Sequence, residues 1–257
     1  MDEFVILVDG NDNPIGKEEK VKCHLPDGKL HRAFTALIFN KEGKLLLTKR
    51  SDSKMLWPGD WDGTVASHPR EGETYVSSAE RRMPEEIGIT CKMNYVNKFE
   101  YHVPYKNVGS ENEVCGTLLG VVDDFEESAL IKDEISAIKW ISPDELKLEL
   151  ENNADIYCPW MVIALYYLEK CESETKEKFS SMISDWTKEE LKQELENNVD
   201  IYCPWMVIAL YYLAECESET KEKFSSMISD WTKDELMQNY EKAIKHYIPE
   251  NNWRLVN

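Results

Sequence analysis

Strand-length apolar runs separated by polar turns fill the first half of the chain. FTALIFN (34–40) and KLLLTKR (44–50) are two such runs, and the KEGK that joins them has the composition of a hairpin turn. EVCGTLLGVVDD (113–124) and AIKWIS (137–142) predict two more strands. From Glu73 to Ile87 the pattern turns helical and stops at Gly88, a residue suited to the left-handed backbone that closes a helix. Pro84 lies inside that segment without an N–H to donate, which predicts a kink or an early end. Ser142-Pro143-Asp144-Glu145 is a capping box with proline at the first helical position, so another helix starts there. Strands and helices in this order predict an α/β (α+β) fold, a mixed sheet flanked by helices.

The second half repeats itself. Residues 146–190 are followed at once by 191–235, a near copy with a period of about 45 residues and about five differences. Each copy predicts a helix from its proline, Pro159 or Pro204, through the YYL run, and then a charged helix around KEKFSSMI. A solenoid needs at least about three repeats to bury its own core. One copy is therefore expected in the main fold and the other as an added, duplicated C-terminal helical segment. The division that follows is residues 1–186, with the first copy, and residues 187–257, with the second copy and a tail. In that tail NYEKAIKHYIPENNWRLVN predicts a helix broken before Pro249.

At 257 residues, the chain is long enough for one large or two small cores. Its net charge of −19 argues against nucleic acid as a partner, since neutralising phosphates takes a basic face. Arginine is concentrated early: Arg32, Arg50, Arg70, Arg81 and Arg82 all lie in the N-terminal third, where their planar forks suit an anionic ligand or simply a charged surface. Seven cysteines without CxxC spacing fit a reduced, cytoplasmic protein. The start of the chain lacks the pattern of a signal peptide, and MVIALYYL is too short to span a membrane.

Candidate chemistry comes in two groups. His24, His31, His68, Glu111 and Glu113 are possible metal ligands, and they include three of the five histidines. Glu111 and Glu113 stand two apart in a strand-like run, so both carboxylates face one side. Imidazoles with carboxylates suit zinc, manganese or iron, although no standard zinc spacing links the five. The second group is ERRMPEEIG (80–88), whose arginines and glutamates read either as a diphosphate cradle or as a solvated helix with charge pairs. Glu85 and Glu86 resemble part of a Nudix box, but Arg82 stands where the full box has a metal-binding glutamate. That exchange favours holding a diphosphate over cutting it.

KVKCHLPDGKLHRAF, KRSDSKMLWPGDWDGTVASHP, ERRMPEEIG, FEYHVPYKNVGSENEVC and YCPWMV resemble, in this order, the signature segments of type 1 isopentenyl-diphosphate isomerases, over roughly residues 1–175. The resemblance implies a Nudix-like fold and a shift of a carbon–carbon double bond between isopentenyl and dimethylallyl diphosphate. It implies a divalent metal (zinc, manganese or magnesium) on His24, His31, His68, Glu111 and Glu113, and a magnesium on Glu86 with the substrate. It implies proton transfer by Glu113 with Tyr101 beside it, Trp160 facing the carbocation, and Lys20, Arg50, Lys54, Ser67 and Arg82 on the diphosphate. Trp205 repeats Trp160 in the second copy, but the family order selects Trp160. The implied partner is a small prenyl diphosphate, and the protein a monomer or homodimer, with a domain swap through the second copy as one arrangement. One position departs from the family. Ala66 stands where the family has a proton-transferring cysteine. Another acid (Ser67, Thr64, Cys115 or a metal-bound water), a deliberate change, or a different reaction each accounts for it; a Nudix-type hydrolase or a prenyl-diphosphate binder are the rival functions.

Overall fold

A computed structural model describes residues 3–40, 43–122, 134–170, 234–248 and 252–256. Its centre is one mixed sheet. Strands β1 (Phe4–Val8), β2 (Pro14–Glu19), β3 (His31–Phe39), β7 (Asn94–Tyr105), β8 (Gly109–Val121) and β10 (Trp253–Val256) lie in the order β10-β7-β8-β3-β1-β2. Strand β4 (Leu45–Arg50) pairs with β3, with β5 (Trp61–Asp62) and with β9 (Ile135–Ile141), while β6 (Val65–Ser67) pairs with β3. The expected β3–β4 hairpin is present but brief: only Ile38–Leu46 and Phe39–Leu45 pair before β5 takes over at Thr48 and Lys49, while β9 pairs with β4 from Leu45 to Arg50.

Strands β3 and β8 run parallel and in continuous register from His31–Glu113 to Phe39–Val121. Strand β7 then pairs antiparallel with β8, setting Tyr101 opposite Glu113. Tyr101, Glu113 and His31 thus form one row across three strands. In a pleated sheet, cross-strand neighbours in register share a face.

The sheet is covered on both sides. On one face Phe34, Ala36, Ile38, Leu46 and Leu118 pack against Ala79, Met83 and Ile87 of α2 (Tyr75–Ile87). On the other, Leu37, Phe39, Phe99, Cys115 and Leu119 pack with α3 (Pro143–Asn153), α4 (Pro159–Lys170) and α5 (Asp234–Tyr247). Helix α2 opens with a reciprocal capping box between Thr74 and Ser77 and closes on Gly88 at φ 69°. It runs through Pro84 to Ile87 rather than ending early, since one missing N–H is outweighed by caps at both ends and the buried Met83 and Ile87. Helix α3 begins with the expected box between Ser142 and Glu145.

The tail folds back onto the first half: α5 ends at Tyr247, before Pro249, and β10 adds a strand against β7 that the apolar pattern did not announce. The KEKFSSMI helices, Trp205 and nearly all of the second copy lie outside the described residues. No helix among the described residues is long and apolar enough to cross a membrane.

Candidate active site

Three histidines meet because three different elements end at one place. Helix α1 (Lys20–His24) supplies His24, the first residue of β3 is His31, and His68 follows β6. Their ring centroids lie 4.7, 5.5 and 5.1 Å apart. His31 Nε2 is 3.2 Å from His68 Nε2, and each is 3.4 Å from Glu113 Oε1. His24 Nε2 is 3.0 Å from Glu111 Oε2. The donor atoms of His24, His31, His68 and Glu113 all fall within 4.8 Å of one another, near the ~4 Å span of ligands around one ion.

These residues fit a divalent metal. His24 Nδ1 donates to the Lys20 carbonyl at 2.6 Å and His31 Nδ1 to the Lys29 carbonyl at 2.8 Å. Each bond fixes the tautomer and leaves the Nε2 lone pair for the ion. Glu111 Oε2 and His68 Nδ1 are buried without a hydrogen bond; for the Glu111 oxygen, His24 is close but not aligned to donate. A buried carboxylate oxygen in that state is costly unless a cation meets it.

Charge is divided within the cluster. Burial pushes the His24 and His31 imidazoles toward neutrality, but Glu111 outweighs it for His24, and Cys23 with Glu113 outweigh it for His31; both end above the usual value. Burial and then Lys20, His31 and His24 hold His68 well below it. Glu113 resists the effect of burial through His31 and Tyr101 and stays below the usual carboxylate value. Tyr101 donates to Glu113 Oε2 at 2.6 Å, and burial followed by Glu113 pushes its own ionisation far up. The pair at neutral pH is therefore a carboxylate and a phenol.

A cleft of about 240 Å³ opens over this cluster, and Lys20, His24, Arg50, Lys54, Ala66, Ser67, His68, Tyr101, Glu111, Glu113 and Trp160 all line it. His31 stands behind the wall, fully buried. Arg82 and Glu86 are not part of the lining but pair with each other on α2 within electrostatic reach of Lys54, which is, and Arg82 also holds Glu85 at 2.8 Å. Lys20 pairs with Glu3 at 3.0 Å and Lys54 with Glu134. Arg50 is tied into the wall by Asp62 at 3.1 Å and by the carbonyls of Leu56 and Trp57 at 3.0 Å each.

Ala66 pairs with Thr35 of β3 and presents only a methyl group to the cleft. Of the three side chains named as alternative acids, Thr64 is fully buried and already bonded to Leu46 and Ile38. Cys115 sits in the core, where burial raises its thiol well above the usual value. Ser67 is the one that lines the cleft.

Sequence reading missed Asp62, whose carboxylate accepts the Trp160 indole N–H at 2.7 Å. Its only signal is an acid between Trp61 and Gly63 ahead of a short strand. It also missed Trp57, which meets Trp160 edge-on at 5.3 Å.

Comparison with known proteins bears on the same segments. The NUDIX domain family matches residues 29–161. An isopentenyl-diphosphate Delta-isomerase of Haloarcula marismortui is 38% identical over 166 residues, covering 63% of this chain and 88% of the relative. Isopentenyl-diphosphate Delta-isomerase 2 of Photorhabdus laumondii is 38% identical over 160 residues, 62% of this chain and 89% of the relative. The isomerase of Serratia proteamaculans is 33% identical over 174 residues, 68% of this chain and 96% of the relative. With more than half of its length in a NUDIX domain and nearly the whole of these relatives matched, the chain belongs to the type 1 isopentenyl-diphosphate isomerase family of the Nudix superfamily.

Proposed function

We propose that the chain interconverts isopentenyl and dimethylallyl diphosphate for isoprenoid synthesis. The carrying observation is the Glu113 carboxylate, which belongs to the histidine cluster, accepts the Tyr101 hydroxyl, and opens onto the cleft that Trp160 also lines. Moving an unactivated double bond means adding a proton to one carbon and removing one from another, through a tertiary carbocation. Glu113 takes or returns the proton on its side, with Tyr101 kept as a phenol to steady its second oxygen. The Trp160 ring offers its face to the positive charge. Lys20, Arg50, Lys54, Ser67 and Arg82 hold the diphosphate, and Glu86 holds a magnesium bound with it. A divalent ion (zinc, manganese or magnesium) on His24, His31, His68, Glu111 and Glu113 supplies a fixed positive charge beside Glu113. The setting is cytoplasmic, with a small prenyl diphosphate as the partner and a monomer or homodimer as the working form.

Ala66 leaves the second proton without the family's thiol, and Ser67 is the neighbouring hydroxyl. The rate is therefore limited at that proton. The test is incubation with isopentenyl diphosphate and magnesium in heavy water. Deuterium entering the prenyl carbons without phosphate release is the expected result. Phosphate release would instead make the chain a hydrolase, and tight binding with neither outcome would make it a binder. No binding, even with zinc, manganese and magnesium present, would overturn the reading altogether.

A further inference from the structure

We infer that Asp62 is a positioning residue of this site: it orients the Trp160 indole and neutralises the guanidinium lying against that ring. The inference rests on the isomerase reading above, because it concerns how the ring meets a carbocation.

The start of α4 hangs from the short strand β5. Cys158 N donates to the Trp61 carbonyl at 2.8 Å, and Trp61 bridges to Tyr157. These backbone ties hold the helix start without any help from the Asp62 side chain. That carboxylate is 3% exposed, and burying it carries a desolvation cost. Its contacts show where the return lies. Oδ1 accepts the Trp160 indole N–H at 2.7 Å and the Gly63 N–H at 2.7 Å, and Oδ2 accepts Arg50 Nη1 at 3.1 Å. A tryptophan has two soft torsions, and a fixed N–H bond sets which way its ring faces.

The Arg50 guanidinium carbon lies 5.2 Å from the Trp160 ring centroid. A cation already resting on an aromatic ring repels a second positive charge brought to the same ring, and the repulsion is large where water is scarce. Asp62 pairs with that cation and cancels its charge. Its bond to the indole N–H also draws electron density into the ring, which favours a cation at its face. One buried carboxylate thus does for Trp160 what neither the helix nor the core packing provides.

The test uses the metal-loaded full chain and two diphosphate esters of one shape. One carries a tertiary ammonium where the carbocation forms, and the other a neutral carbon there. Calorimetry on the parent protein is expected to show tighter binding of the ammonium ester. Asp62→Asn keeps the size and an oxygen for the indole N–H but loses the charge and the acceptor that faces Arg50 Nη1. In it the preference for the ammonium ester falls about tenfold or more, while the neutral ester binds as well as before or better, since Arg50 is no longer neutralised. In a Trp160→Ala background the same substitution changes the preference little, because the ring through which Asp62 acts is gone. An aspartate with only a structural role would weaken both esters together. That pattern, or an unchanged preference, overturns the inference while the isomerase reading stands. A parent protein that binds neither ester removes the isomerase reading, and this inference with it.

Discussion

At the scale of single residues, three histidines and Glu113 stand close enough to share one ion, Tyr101 bonds Glu113, and Ala66 offers no thiol where the family resemblance expects one. The Ala66 methyl lines the same cleft as Glu113 and Tyr101, with Ser67 beside it. A hydroxyl is a far weaker acid than a thiol, and a placed acid or base contributes about a hundredfold or more. Ala66→Cys is therefore expected to raise kcat by about that factor with little change in KM, measured by conversion of isopentenyl diphosphate. An unchanged kcat would put the second proton elsewhere. The polar residues that line the cleft were largely legible from the sequence, because the motifs of the resemblance carry them one by one. Asp62 was not, because its role depends on Trp160, 98 positions away, and on Arg50, which only the folded strands bring together. Glu73 bonds Arg81 through two contacts of 2.6 and 3.0 Å, and this guanidinium holds its pKa at about 2. A carboxylate with a lowered folded pKa stabilises the fold above its unfolded value of about 4.5 and loses that contribution as pH falls through about 2. Glu73→Gln should cost about 1 to 2 kcal/mol at pH 6, discounted for its partial exposure, and the gap to the parent should close toward pH 2 in urea titrations.

At the scale of elements, local chemistry was readable where a cap or a turn spells itself out. Ser142–Glu145 and the Gly88 stop are examples, and both helices formed where those residues put them. Pro84 misled in the other direction, because its missing N–H is a local defect in a helix held by core contacts. Strand β7 and helix α1 were hidden for a different reason. Half-buried NYVNKFEYHVPY alternates weakly, and a five-residue helix has no period to detect. Helix α1 nonetheless carries both Lys20 and His24, and its position depends on a neighbour without a side chain. A Cβ on Gly109 would meet the His24 carbonyl at 2.7 Å and Leu25 at 2.8 Å. The carbonyl cannot swing aside as a flexible side chain would, so α1 must shift and take His24 with it. Gly109→Ala is expected to lower metal affinity about tenfold in a competition titration against a chelator, in line with other losses of support around a metal ligand. Gly16→Ala, where the added carbon comes no nearer than 3.9 Å to Leu7, should leave the affinity unchanged. Equal loss in both variants would show that the close approach at Gly109 does not set the position of His24.

At the scale of the whole molecule, the C-terminal strand backs a wall of the cleft. The β3–β8–β7 register makes one row of His31, Glu113 and Tyr101, and β10 extends it by setting Trp253 opposite Tyr101. Without β10, strand β7 would be a sheet edge, with open hydrogen-bonding groups beside the residue that steadies Glu113. Trp253 adds ring contacts to Tyr166 at 4.9 Å and Tyr167 at 5.5 Å, so the same four-residue strand also fastens α4, the helix that carries Trp160. This arrangement was illegible in the sequence, because WRLV is too short to alternate and its partner lies some 150 residues earlier. Removing a partly buried tryptophan from such a junction costs about 2 to 4 kcal/mol. Trp253→Ala should lower the melting temperature accordingly and also reduce kcat, because it loosens Tyr101 from one side and α4 from the other. Trp253→Phe keeps an aromatic ring in the stack and should recover most of both losses. If Trp253→Ala lowered stability but left kcat at the parent value, the C-terminal strand would support the fold without setting the position of the proton-transfer pair.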